Sequence, residues 1–164
     1  MRDYILLLPL IFIFHDMEEI IGFKRFLDKN PWVFERYPKI TSAYRNFQTD
    51  AFAMAVYEEF IPFFGISLLT YFFPGKIIYA IWFGLLIALT VHFGIHIIQS
   101  ICLKKYIPSF ITSIICMPIS IYIILKCLEY ISLDLLVTAV IICSIIGMML
   151  NLRLAHVLMH KFEI

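Results

Sequence analysis

Apolar stretches of membrane-spanning length recur along this chain, and they limit what it can fold into. A helix needs about 20 apolar residues to cross the hydrocarbon core of a bilayer. Apolar stretches of roughly this length run at 4–23, 47–73, 77–103, 110–125 and 133–159. With 62% hydrophobic and 15% charged residues, the chain is more apolar than a soluble domain. We therefore predict an all-α, polytopic integral membrane helix bundle with about five transmembrane helices.

The remaining segments leave room for a single transmembrane helical domain, residues 1–164. The segment after the first span is charged and also contains Trp32, Phe34 and Tyr37. Aromatic side chains among charges are typical of the membrane interface, so we predict an interfacial loop with a short amphipathic helix here. A net charge of +1 predicts no nucleic-acid partner. Membrane lipid is the expected partner, and a homo-oligomer stays open.

Lysine and arginine indicate the orientation of the bundle. They are concentrated after the first and third spans, at Lys24, Arg25, Lys29, Arg36, Lys39, Arg45, Lys104 and Lys105, whereas the opposite side has Arg2, Lys76 and Lys126. Cytoplasmic loops carry the excess of basic residues. The N-terminus is therefore expected outside and the C-terminus in the cytoplasm, with the cell membrane as the location.

Histidines and carboxylates interrupt four of the spans at similar depth. At ~1.5 Å rise per residue they lie on the order of 5–17 Å inside the cytoplasmic boundary. Together with an asparagine at the same depth they form what we call the polar layer: His15, Glu18, Glu19, Glu58, Glu59, His92, His96, Asn151 and His156. Spacings of three and four residues put side chains on one helix face. The first span and the third each present such a face, so we expect these groups to converge.

The negative charge of four carboxylates inside a membrane must be neutralised. Leaving them uncompensated would cost on the order of 10 kcal/mol, and Arg153 is the basic residue within the layer. The alternatives are protonation, pairing with imidazoles, or a divalent cation. We predict one or two ions of zinc, iron or manganese, with Asn151 and Arg153 in support and with these ligands: His15, Glu19, Glu58, Glu59, His92, His96 and His156.

The motifs also resemble a known family. HDMEE at 15–19 resembles the signature of the HXXEE-motif family of integral membrane proteins, and the EE at 58–59, HFGIH at 92–96, YIPSF at 106–110 and the later Asn151 and His156 are similar to its downstream motifs. In YIPSF, Ser109 stands where glycine is expected. The resemblance implies a membrane bundle with its site at these residues, and an enzymatic role without an assigned reaction.

Two functions follow from the polar layer. The first is a metal-dependent membrane enzyme, hydrolytic or oxidative, that acts on an apolar or lipid-like substrate. In hydrolysis Glu18 would be the general base, as a carboxylate is in helical zinc motifs; in di-iron chemistry it would be a ligand. The alternative is a proton- or metal-coupled transporter. His92 and His96 could instead bond between helices, and Asp16 is expected on another face from His15.

Overall fold

The computed structural model describes residues 2–41 and 44–161, and the regular structure of these residues is helical throughout. Five long helices and three short ones follow one another along the chain. Their bounds are α1 Arg2–Ile5, α2 Leu7–Lys29, α3 Trp32–Arg36, α4 Pro38–Thr41, α5 Thr49–Phe72, α6 Lys76–Leu103, α7 Phe110–Leu128 and α8 Leu135–Lys161.

The long helices confirm the predicted membrane bundle. α5, α6, α7 and α8 are long and apolar enough to cross a membrane. α2 also has spanning length, but carboxylates occupy its middle. The predicted spans agree with these helices to within a few residues, except that α2 continues from 23 to Lys29. The predicted interfacial segment contains two short helices, α3 and α4.

α6 is the central helix of the bundle. It packs on α7 and α8 and also contacts α5, while α2 packs mainly on α5. Trp82, Leu86 and Phe93 of α6 are fully buried. At Gly84 the approach to α8 is close, because an added Cβ would lie 2.7 Å from Cβ of Ser144 and 2.9 Å from the carbonyl oxygen of Ile141. The absence of a side chain at Gly84 therefore sets the α6–α8 contact.

A break near the N-terminus separates α1 from α2. Pro9 lacks the N–H that would donate to the carbonyl oxygen of Ile5 four residues earlier. Nε1–H of Trp82 donates to that oxygen instead, at 3.1 Å. A backbone carbonyl without a partner is costly in an apolar interior, so this bond stabilises the break and ties it to α6.

One end of the bundle collects the elements that matter for function. α2, α6 and α8 end there, and α5 and α7 begin there. We call it the site end. The segments containing α3 and α4, between α2 and α5, lie at this end as well.

Candidate metal centre

Four side chains from two helices converge near the site end. His15 and Glu19 come from α2, and His92 and His96 come from α6. Each residue offers one ligand atom, and these atoms all lie within 4.8 Å of one another. We call these four residues the His/Glu cluster. Since each helix contributes an i, i+4 pair, the 3.6-residue helical repeat by itself points both members of a pair in the same direction.

The distances inside the cluster suit a shared ion. Nε2 of His96 lies 2.8 Å from Nε2 of His92 and 3.1 Å from Oε1 of Glu19. Ligand atoms around one tetrahedral ion with bonds of about 2.1 Å lie about 3.4 Å apart. Small side-chain adjustments would therefore surround an ion with three imidazole nitrogens and one carboxylate oxygen.

Buried polar atoms without a hydrogen-bond partner also favour a bound ion at the cluster. His15 is 0% exposed and Glu19 is 9% exposed. Nε2 of His15, Oε1 of Glu19 and Nδ1 of His96 are buried without a hydrogen-bond partner among the described residues. Buried polar atoms are nearly always satisfied in folded proteins, and Nε2 of His15 and Oε1 of Glu19 are atoms of the kind that bind metal ions. A bound cation would satisfy them.

Two further carboxylates lie beside the cluster. Asp16 is 4% exposed and Glu59 is 8% exposed, and both line the cavity that Glu19 lines. Among the described residues the ion pairs of lysine are with Asp28, Asp134 and Glu129, and none involves Asp16, Glu19 or Glu59. Within the part of the chain that the structure describes, no lysine or arginine forms an ion pair with this acidic region.

An apolar cavity of about 470 Å³ adjoins these groups. Its walls come from α2, α5, α6 and α8, and side chains of α3, α4 and Tyr44 close it at the site end. Most lining side chains are apolar, among them Phe23, Phe52, Val56, Ala155 and Met159. A smaller number of polar side chains, including Glu19, His92 and His96, completes the lining, and a mostly apolar wall with a few polar groups is typical of ligand-binding sites.

The α6 wall of this cavity borders the outside of the bundle. Ile95 and Ile98 line the cavity, and they are 47% and 61% exposed. Both lie within two residues of His96 on α6, and their exposed side chains face the outside of the bundle. In a membrane this face would meet lipid, so an apolar molecule could reach the cavity sideways without crossing water.

Comparison with known proteins bears on the motif. The family described as "Protein of unknown function with HXXEE motif" matches residues 6–123 of the chain. The chain belongs to the HXXEE-motif family. All four residues of the His/Glu cluster lie inside the matched region, whereas Asn151, Arg153 and His156 follow it. No curated protein and no solved structure matches the chain.

The two glutamates of the HXXEE motif point to different places. Glu19 joins the cluster, whereas the carboxylate of Glu18 turns to the start of α7. It accepts hydrogen bonds from N–H of Thr112 at 2.8 Å and of Ile111 at 3.4 Å, from the Thr112 hydroxyl at 2.6 Å and from the Tyr106 hydroxyl. Glu18 thus caps α7. Its assignment as general base stays a prediction, which these contacts do not favour.

Tyr106 precedes α7 and depends on the same carboxylate. Partial burial and the hydrogen bond to Glu18 raise the pKa of Tyr106 to about 12. The phenol therefore stays protonated at neutral pH and remains a donor to Glu18. It completes the cap.

Ser109, the residue before α7, has a backbone angle that favours glycine. Its φ is 91°, in the left-handed region that costs a residue with a Cβ about 1 kcal/mol. We expect Ser109→Gly to raise the free energy of unfolding by about 0.5–1 kcal/mol, measured by thermal unfolding in detergent. Ser109→Ala removes the hydroxyl but keeps the Cβ, so equal stabilisation by both variants would contradict a backbone origin.

The EE pair of α5 divides in the same way as the HXXEE pair. Glu59 faces the cavity, while Oε2 of Glu58 accepts a hydrogen bond from Nδ2 of Asn151 at 3.2 Å. The predicted ligand Glu58 therefore lies outside the His/Glu cluster, as does Glu59. Asn151 supports Glu58. Arg153 is exposed on α8 and forms no ion pair with the described residues, so it supports none of the predicted ligands.

His156 is held by neighbours outside the cluster. Its Nδ1 contacts the carbonyl oxygen of Leu152 at 2.7 Å, and its Nε2 contacts the Tyr44 hydroxyl at 2.6 Å. A carbonyl only accepts, so Nδ1 carries the proton and Nε2 accepts from Tyr44. Burial raises the pKa of Tyr44, which keeps the phenol a donor. The predicted ligand His156 instead fixes Tyr44 over the cavity.

Sequence reasoning missed three residues of this region. Asp16 was expected on another face from His15 but was given no part in the site; it lines the cavity, and its place in the middle of a span was a usable signal. Thr112 and Tyr44 contact the site from other elements. Threonine and tyrosine are common in membrane proteins, so neither carried a signal in the sequence.

Proposed function

We propose that this protein is a metal-dependent membrane enzyme that hydrolyses an apolar, lipid-like substrate. The observation that carries the proposal is the His/Glu cluster, whose four ligand atoms lie within 4.8 Å of one another. Three of its residues, Glu19, His92 and His96, line a largely apolar cavity. Burying an acid and three imidazoles without an ion would serve no packing need that apolar residues could not meet.

The ligand set favours a single ion. Di-metal sites in helical bundles use several carboxylates, with glutamates from different helices, whereas the cluster contains Glu19 alone. Three imidazoles and one carboxylate suit zinc, and they also accept iron or manganese. We therefore reduce the expected one or two ions to one, with zinc as the first candidate.

The neighbouring carboxylates favour hydrolysis. A metal ion lowers the pKa of a bound water to about 7, and a carboxylate within reach can accept its proton. Glu59 lines the cavity and accepts no hydrogen bond from the described residues, so we assign it as the general base. With a metal bound, Glu59 would take a proton from the attacking water as its oxygen adds to the carbonyl carbon of an ester or amide. It would return that proton to the leaving group as the bond to this group breaks.

The cavity defines the substrate class. Apolar side chains form most of its wall, and the exposed Ile95 and Ile98 place its open side towards lipid. A lipid with an acyl or isoprenoid chain fits both features, since the chain would replace lipid contacts with protein contacts at little cost. Water-soluble polar substrates would meet an unsuitable surface.

Metal content of the purified, tag-free protein is the test. Elemental mass spectrometry should find about one equivalent of zinc per chain. Protein in nanodiscs should then release products from a lipid extract, detected by liquid chromatography and mass spectrometry, and chelation should stop the release. No metal after reconstitution would overturn the proposal. Iron with oxygenated products would assign oxidation, and metal uptake into sealed vesicles would assign transport.

A further inference from the structure

Glu18 has a second contact role beyond its cap of α7, through the hydroxyl of Thr112. Oγ1 of Thr112 lies 2.6 Å from Oε2 of Glu18 and 3.0 Å from Nδ1 of His15. The chain of contacts thus runs from a glutamate of the HXXEE motif, through one residue of α7, to the histidine of the same motif.

Donor and acceptor counts fix the direction of each bond. A hydroxyl has one proton, and an ionised carboxylate only accepts. The Thr112 hydroxyl therefore donates to Glu18, at a distance shorter than its contacts of 3.5 Å with the carbonyl of His15 and 3.3 Å with that of Ser109. Its free lone pair then accepts from Nδ1–H of His15.

The consequence for His15 is a fixed tautomer. With the proton on Nδ1, the lone pair of the imidazole is on Nε2. This atom is buried and has no hydrogen-bond partner among the described residues. Because Nδ1 is bonded to Thr112, Nε2 is the atom that His15 can offer to the His/Glu cluster. Its nearest acid is Asp16, whose Oδ1 lies 3.9 Å away, beyond hydrogen-bond distance. Nε2 is therefore free to bind a cation.

We propose that Glu18 and Thr112 are positioning residues that hold His15 in the tautomer and orientation that bind the metal. Histidine ligands commonly donate their second N–H to an acceptor that fixes the ring, and losing such an acceptor weakens metal binding about 10- to 100-fold. The inference rests on the proposed function, because it needs a metal at the His/Glu cluster. It also gives each residue of the HXXEE motif a role: His15 and Glu19 bind the metal, and Glu18 orients His15.

Thr112→Val removes the hydroxyl at nearly constant shape, and Co²⁺ is the probe. Titration of metal-free protein, followed by visible absorption of the bound Co²⁺, should give an affinity roughly 10- to 100-fold below that of the unaltered protein. Thr112→Ser restores a hydroxyl and should restore the affinity. Glu18→Gln leaves one carbonyl oxygen for bonds that now use two, so it should weaken binding in the same direction.

Ser113→Ala is the matched control, since it removes a fully buried hydroxyl from the next residue of α7, and this hydroxyl forms no hydrogen bond with the described residues. It should bind Co²⁺ as the unaltered protein does. Equal affinity in Thr112→Val and the unaltered protein would overturn the positioning role but leave the metal site. If Thr112→Val does not fold, equal affinity of Glu18→Gln overturns it. Unaltered protein that binds no Co²⁺ would overturn the proposed function as well.

Discussion

Replacing His92 and His96 together by alanine is expected to reduce bound metal from about one equivalent per chain to below about a tenth. The two residues supply two of the three imidazole nitrogens of the His/Glu cluster, and their Nε2 atoms lie 2.8 Å apart. Without them, His15 and Glu19 form a two-ligand site, which is too few for tight binding of zinc. Elemental mass spectrometry of the purified variant measures the loss.

A matched control uses the same helix and the same cavity wall. Ile95 and Ile98 flank the histidines on α6 and offer no ligand atom, so their double replacement by alanine should leave the metal content unchanged. Full metal occupancy in the histidine variant would place the metal elsewhere. Equal loss of metal in both variants would mean that disturbed packing of α6, and not the missing imidazole ligands, causes the loss.

Glu59→Gln is expected to reduce turnover by about 10²- to 10⁴-fold while the metal stays bound. Glu59 lines the cavity beside the cluster, and it accepts no hydrogen bond from the described residues, so its carboxylate is free to take a proton. Glutamine keeps the shape and polarity but cannot act as the base. Product release by the metal-loaded variant in nanodiscs, measured together with its metal content, separates catalysis from ligation.

Glu58→Gln is the neighbouring control. Glu58 is bonded by Asn151 and faces away from the cavity, and the amide oxygen of glutamine can still accept that bond. Its turnover should remain within about twofold of the unaltered protein. Full activity of Glu59→Gln would remove Glu59 as the base and move that role to Asp16 or Glu18. Loss of metal in Glu59→Gln would make Glu59 a ligand.

Depth along the membrane normal was predictable from the sequence. Apolar runs define where each helix begins and ends, and counting residues from these ends placed His15, Glu19, His92 and His96 in one layer, where the structure brings them together. The i, i+4 spacing within each pair also predicted a shared face. Depth and shared face depend only on helix length and pitch, so both can be predicted from the sequence.

Rotation of each helix about its axis was not predictable in the same way. Adjacent residues of a helix point about 100° apart, so only one glutamate of each pair can face the cluster. Contacts from other elements decide which: the start of α7 binds Glu18, and Asn151 binds Glu58. His156 is bonded by Tyr44 and Arg153 is exposed, so neither joins the cluster. Such contacts depend on how distant segments pack.

The contacts of α2 also bear on the order in which the chain enters the membrane. Asp16, Glu18 and Glu19 lie in a helix that is synthesised before α7, since Thr112 follows His15 by 97 residues. A carboxylate at a helix centre opposes insertion by about 2.5–3.5 kcal/mol, and its partners do not yet exist at that stage. We therefore expect α2 to wait at the membrane surface and to take its final place only when α6 and α7 have been inserted.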